Sequence, residues 1–334
     1  IRDKLVTGVQ TCALPISVRS SAVTVRLTVD TEEWRAHVHR TARSLPDLVP
    51  VVKGNGYGFG RETLAPIAAE LSDTIAVGTV HELDHVPAGT TAVVLTPTLR
   101  PPPDLAPILT VGSLEHVHAL AGWPGRVIVK LASSMRRFGV TPDGLGALTA
   151  AARAAGLDIV AFAVHPPLAG TDDERLDEIA AWLQLLDPVD EVWVSHLSAR
   201  AYRDLRDAWP ERRFRIRAGT ALWHGDKSML HLGADVLDVR PVRAGDEAGY
   251  RLETVMTDGV LVMVGAGTAH GVHPLPDGRS PFHFARRRMA LLEPPHMHTS
   301  MCFVPDGDPA PSPGDMVDVQ RPLTMTLVDE IRWR

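Results

Sequence analysis

Pro50-Val51-Val52-Lys53-Gly54-Asn55-Gly56-Tyr57-Gly58-Phe59-Gly60 ends a short apolar run on a lysine and enters a glycine-rich turn at once. Apolar neighbours disfavour the ammonium and lower a lysine pKa toward the range where the neutral amine attacks carbonyls. The run is short enough for a buried strand, and glycines allow a turn that other side chains would strain. The other reading of these residues is a lysine that closes a strand at the surface.

Eight runs rich in Val, Ile and Leu recur: Leu48 to Lys53, Thr74 to Val77, Ala92 to Leu95, Ile108 to Val111, Arg126 to Leu131, Ile159 to His165, Glu191 to His196 and Phe214 to Arg217. Between them, Thr31 to Ser44, Arg61 to Leu71, Leu145 to Ala155, Asp173 to Leu186 and Ala199 to Ala208 repeat apolar residues at three- and four-residue spacing and read as amphipathic helices. Eight strands with helical connections close a (β/α)8 barrel, whereas an open doubly wound sheet has no reason to stop at eight. The fourth run is the weakest, because Pro101-Pro102-Pro103 precedes it.

After Gly233 the pattern turns to short β-like runs, among them Gly259 to Val264, Met289 to Leu292 and Met316 to Val319, broken by Pro, Gly and Asp clusters. The expected organisation is an α/β TIM-type barrel over residues 18–232 followed by a mostly β C-terminal domain over 233–334. Residues 1–17 are set aside, because Val6 to Ile16 resembles a translated sequencing adapter. That leaves Cys302 as the one cysteine, so a disulfide framework is not expected and a reducing, cytoplasmic setting is. No apolar run approaches the ~20 residues of a membrane span. A net charge of -6 with scattered Arg and Lys argues against a nucleic-acid surface.

Chemistry in such barrels gathers at the carboxyl ends of the strands. Lys53, Lys130, His165, Ser195-His196 and Arg217 fall at five of the eight ends. Arg217-Ala218-Gly219-Thr220 after the eighth strand and Ser198 after the seventh stand where barrels commonly hold a phosphate. A lysine aimed at a cavity with a phosphate cradle suggests pyridoxal 5'-phosphate.

Val51 to Gly58 resembles the cofactor-lysine signature of the alanine racemases, fold type III pyridoxal-phosphate enzymes, and Lys130 to Gly139 resembles their second block. Ala161 to His165, Arg217-Ala218-Gly219, and Ala244-Gly245 with Gly249-Tyr250 continue the likeness in order, so it covers almost everything after Ser20. The resemblance implies an isomerase, an amino acid racemase acting on a small amino acid as a homodimer, with Lys53 forming the aldimine and serving as one base. It implies that Tyr57, Ser198 and the amides of Gly219 and Thr220 hold the phosphate. His165 would pack near the pyridine ring, Arg217 would face the ring nitrogen and Arg137 would approach the phenolic oxygen. Lys130 matches a lysine that members carry as a carbamate, a simple salt-bridging lysine being the other reading.

The chain also departs from the family. The block expected to hold an opposite-face tyrosine is Gly265-Ala266-Gly267-Thr268-Ala269-His270-Gly271, and the only tyrosines are Tyr57, Tyr202 and Tyr250. An expected Asp-Thr-Gly is Ala132-Ser133-Ser134, and a Met-Asp pair is Met297-His298. His298 and His270 thereby become candidates for the second base. His296-x-His298 also admits a metal pair, as in related barrel enzymes acting on D-hydroxy amino acids, although no metal ligand is assigned. Two alternatives follow: a metal-assisted D-hydroxy amino acid lyase or dehydratase, and a non-catalytic PLP-binding racemase homologue.

Overall fold

The computed structural model describes residues 24–225 and 227–334; the segment 1–17 set aside above, with Cys12, lies outside the described residues. Eight parallel strands form the barrel: β2 (Leu48–Pro50), β3 (Thr74–Val77), β4 (Thr91–Val94), β5 (Leu109–Val111), β6 (Arg126–Lys130), β7 (Asp158–Ala163), β8 (Val192–Ser195) and β9 (Phe214–Ala218); an α-helix follows most of them, but β3 leads to β4 through a short 3-10 segment and β4 leads to β5 with no helix between. They pair in the order β2-β9-β8-β7-β6-β5, with β3 beside β4. Single parallel bridges, Val51 to Ala76 and Val93 to Ile108, join the pair to the six and close the barrel. These strands are almost wholly buried, as expected for a parallel sheet covered on both faces.

Outside them lie α1 (Thr31–Ser44), α2 (Arg61–Leu71), α3 (Leu114–Ala119), α4 (Leu145–Ala154), α5 (Asp172–Leu183), α6 (Ala199–Ala208) and the four-residue α7 (Thr220–Trp223). Their starts are set by sequence. Asp30 caps α1 by accepting from the Glu33 amide, Thr171 and Glu174 form a capping box on α5, and Ser198 caps α6 through the Ala201 amide.

The mostly β domain has its own core, including Val236, Val262, Phe282, Cys302 and Val317, built around β10 (Leu230–Val242). β10 pairs antiparallel with Gly259–Val264 and with Met316–Val319. The division expected after residue 232 falls inside β10. The amino-terminal side of that division also contributes to the β sheet, because β1 (Val25–Val29) pairs antiparallel with β10 and parallel with Glu330–Trp333. The Arg26 guanidinium donates to Glu330 at 2.6 Å across that last pair. Trp333 then packs on Trp34 of α1 and on Phe59 of the glycine-rich turn, tying the sheet to the barrel.

Candidate active site

The sequence placed Lys53 at a strand end. In the structure β2 stops at Pro50, and Lys53 opens the turn that follows. That turn requires its glycines: Gly54, Gly56, Gly58 and Gly60 have φ of 62°, 61°, 93° and 74°. A Cβ on Gly56 would meet the Arg61 backbone nitrogen at 2.7 Å, and one on Gly58 would meet Leu323 at 2.9 Å. Tyr57 shares the left-handed conformation at φ 57° without being glycine. The turn is anchored from three sides. The Asn55 amide donates to Leu323 O at 2.7 Å and Thr326 O at 2.8 Å, Glu82 accepts from the amides of Gly54 (3.2 Å) and Gly78 (2.7 Å), and a ring N–H of His224 reaches Tyr57 O at 2.7 Å.

Lys53, Lys130, Arg137, His165 and Arg217 line one cavity at the carboxyl end of the barrel, with Thr110 and Gly78 on its wall. So many cations in one place bias one another. Lys53 is lowered from its ordinary value by desolvation first, then by Arg137 and Arg217, against the pull of Glu82. Lys130, buried, is lowered to about 6 by desolvation, then Arg217 and Arg137, opposed by Glu178. Arg217 is lowered to about 10 by desolvation and Arg137; it donates to Val164 O at 2.7 Å. Among the described residues the Lys130 Nζ and the Arg217 Nε have no hydrogen-bond partner.

Desolvation, with Arg217 next, holds His165 far below the ordinary histidine value, so its ring is neutral, paired through Nδ1 with the Ser195 hydroxyl. His196 lies against it with ring centroids 4.3 Å apart and φ 63°. Its Nδ1 bonds Pro166 O at 2.8 Å, and since a carbonyl only accepts, Nδ1 carries the proton.

The residues expected to cradle a phosphate are partly assembled. The Tyr57 hydroxyl packs against Gly219, and burial pushes that phenol up to about 12, so it stays a donor. Gly219 and Thr220 open α7, and their amides precede its first internal bond, from Leu222 N to Gly219 O at 2.9 Å. Ser198 is engaged otherwise: its hydroxyl caps α6 and also reaches Asp172, whose carboxylate accepts the Ser198 amide at 3.4 Å and is held below its ordinary value by that hydroxyl first.

The two β-domain histidines lie together, ring centroids 6.2 Å apart, but neither lines the barrel cavity. His270 is buried, with Nδ1 accepting the Gly267 amide at 3.3 Å and Nε2 3.5 Å from Asp329; His298 is exposed. His296 donates to buried Glu293 at 2.6 Å and stacks on Tyr250. Among the described residues no three His, Cys, Asp or Glu side chains form a cluster that could hold a metal.

Sequence reasoning set His196 with Ser195 at a strand end, and it missed Glu82, Asp172 and Glu178 as neighbours of the site. Glu82, in the short turn after β3, gave a readable signal; Asp172 and Glu178 sit on a helix face where a carboxylate ordinarily means solvation.

The family model described as "Alanine racemase, N-terminal domain" matches residues 29–226, more than half of the chain. An alanine racemase of Corynebacterium efficiens is 25% identical over 281 residues, 75% of this chain and 76% of that protein. One of Cutibacterium acnes is 26% identical over 258 residues, 66% of this chain and 68% of that protein. The crystal structure of alanine racemase from Bartonella henselae, with covalently bound pyridoxal phosphate, superposes with a TM-score of 0.71 at 18% identity, covering 92% of this chain and 99% of that one. That likeness establishes the barrel followed by a mostly β domain.

Proposed function

The chain belongs to the alanine racemase family, and from that premise we propose that it is a pyridoxal-phosphate-dependent racemase of a small amino acid, with Lys53 joined to the cofactor. The observation that carries this reading is the convergence of Lys53, Lys130, Arg137, His165 and Arg217 on one cavity beside the Tyr57–Gly219 contact. The residues fit an anionic aromatic cofactor. Buried Lys130 Nζ and Arg217 Nε lack partners among the described residues, and a cradle without a Cβ at 219 stands next to a protonated phenol.

In this reading Tyr57 and the amides of Gly219 and Thr220 would hold the phosphate, Ser198 joining them once its hydroxyl turns from Asp172; His165 would pack beside the ring, Arg217 would face the ring nitrogen, and Arg137 with Lys130 would stand on the phenolic side. When bound, pyridoxal phosphate supplies an electron sink that acidifies the α hydrogen of an attached amino acid. Arg217, as a cation there, would disfavour protonation of the ring nitrogen and so limit the sink, which would favour proton movement at one carbon. Lys53, with its pKa lowered by burial first and then by Arg137 and Arg217, has a larger neutral fraction and takes or returns the α proton on one face. The opposite face is served by His298 of a second copy in a homodimer.

Reduction of the cofactor-loaded protein with borohydride and peptide mapping tests the assignment: label on Lys53 with racemisation of L- and D-alanine or serine, insensitive to chelator, supports it. Label on Lys130 or Lys227, or chelator-sensitive carbonyl release from a D-hydroxy amino acid, overturns it.

A further inference from the structure

The loop between β6 and α4 carries Arg137, yet its own backbone bonds secure mainly its base. Ala132 N donates to Val140 O and Val140 N to Lys130 O, both at 2.9 Å, and Arg136 N donates to Ser133 O at 2.9 Å. The outer part is gripped from α5. The Ser134 amide donates to Glu178 Oε1 at 2.6 Å and the Ser134 hydroxyl to Glu178 Oε2 at 3.1 Å, a two-point grip by one carboxylate. One turn further along the same face of α5, the Trp182 indole N–H donates to Ala132 O at 2.8 Å. The gripped segment includes Arg136, a non-glycine residue at φ 51°, and Gly139, where a Cβ would fall 2.6 Å from the Leu131 carbonyl carbon. A loop in such a conformation persists only when its surroundings hold it.

We infer that Glu178 is a positioning residue of the cavity: with Trp182 it clamps the 132–138 loop, sets where Arg137 stands at the cavity, and presents the balancing carboxylate to Lys130. The inference rests on the reading of that cavity as the cofactor site. Arg137 reaches the cavity beside Phe138, its guanidinium 4.7 Å from that ring's centroid, so a shift of the loop backbone moves both lining residues. The charged and titratable groups that act on Lys130 are Arg217 from β9, Arg137 from the loop, His165 from β7 and Glu178 from α5. Glu178 is the one carboxylate among them. One side chain therefore couples the shape of the loop to the charge balance of the cavity. Neither Ala132, Ser133 nor Ser134 could supply that charge itself.

The test separates the clamp from the charge. The chain has four lysines, Lys4, Lys53, Lys130 and Lys227, so lysine labelled with 13C at Cε gives a small set of resonances that Lys→Arg variants assign. In the cofactor-free protein, Glu178→Gln keeps a carbonyl oxygen for the Ser134 amide and loses the charge. Hydrogen exchange of the 131–140 peptide should stay near wild type, while the Lys130 titration midpoint moves down by about half a pH unit or more. Glu178→Ala loses both, so loop exchange should accelerate about tenfold or more and pyridoxal phosphate should bind about tenfold more weakly. Unchanged loop exchange in the Ala variant, or an unchanged Lys130 midpoint in the Gln variant, overturns the inference. A wild-type protein that binds no pyridoxal phosphate would defeat the functional reading instead, with the exchange and titration results still deciding the role of Glu178.

Discussion

A Cβ added to Gly219 would lie 2.0 Å from the Tyr57 hydroxyl oxygen and 2.6 Å from the carbon that bears it. The two residues belong to turns that follow neighbouring strands, β2 and β9, paired in register from Leu48 with Ile216 to Pro50 with Ala218. The contact by itself excludes a side chain at 219, whose backbone stands at φ −127° and ψ −86°. Gly219→Ala should therefore displace a buried tyrosine and cost about 1–3 kcal/mol of stability as well as cofactor affinity. Tyr57→Phe in the same background should recover part of the stability, since it removes the nearer of the two clashing atoms. Chemical denaturation and pyridoxal phosphate titration of the single and double variants check this, and a fully additive pair would speak against the contact.

How much of this was legible in the sequence depends on the range of the interaction. The helices Thr31–Ser44, Arg61–Leu71 and Ala199–Ala208 have the bounds that periodicity predicts, and each of the eight apolar runs overlaps a barrel strand. Burial on both faces forces a parallel strand to be an apolar run, so that signal is local. The pairing of Val25–Val29 with β10 is not local: its partners lie some two hundred residues away, and five residues before a strong helix show no sign of which sheet they join. The site followed the same division. Lys53, Lys130, His165 and Arg217 were readable because strand ends converge, whereas the Ser134–Glu178 grip depends on how α5 is turned against the barrel.

Lys130 should make stability depend on pH between about 6 and 10.5. Its folded-state pKa of about 6 lies below the ordinary 10.5, so between those values the unfolded chain binds more protons than the folded one. Stability attributable to this group therefore rises with pH across that window and is lowest at and below pH 6. Lys130→Met, similar in volume and uncharged, should stabilise the cofactor-free protein by on the order of a few kcal/mol near pH 6, with the advantage shrinking toward pH 10. Thermal melts of both proteins at pH 6, 8 and 10 measure the difference; a constant difference would rule out a buried, proton-shedding lysine.

Asn55 holds the lysine-bearing turn to the C-terminal segment through two carbonyls, Leu323 O and Thr326 O. An aspartate there has no donor at neutral pH and would face both oxygens with a negative charge. Asn55→Asp should cost about 2–3 kcal/mol and weaken cofactor binding, while Asn55→Ala should cost less. Urea unfolding ranks the three proteins, and an Asp variant as stable as wild type would show that the clamp carries no energy.

The opposite-face proton separates two neighbouring histidines. Racemisation needs a proton-transfer group on each face of the reacting carbon, and Lys53 serves one. His270 is buried and held between the Gly267 amide and Asp329, so His270→Ala should cost about 1–3 kcal/mol of stability without favouring one enantiomer. His298 is exposed, and the cavity around Lys53 is lined by barrel residues, so a β-domain histidine would have to reach it from a second copy of the chain. His298→Ala should leave stability unchanged and slow α-hydrogen exchange in deuterated water by about 10²- to 10⁴-fold for one enantiomer only, followed by NMR. Mixing it with Lys53→Ala then tests the subunit arrangement: in a mixed dimer one cavity has lost both groups and the other retains its own Lys53 and the partner's intact histidine, so two inactive proteins should regain activity together. Recovery that never appears on mixing, although dimers exchange subunits, would place His298 outside the reaction or confine it to its own chain.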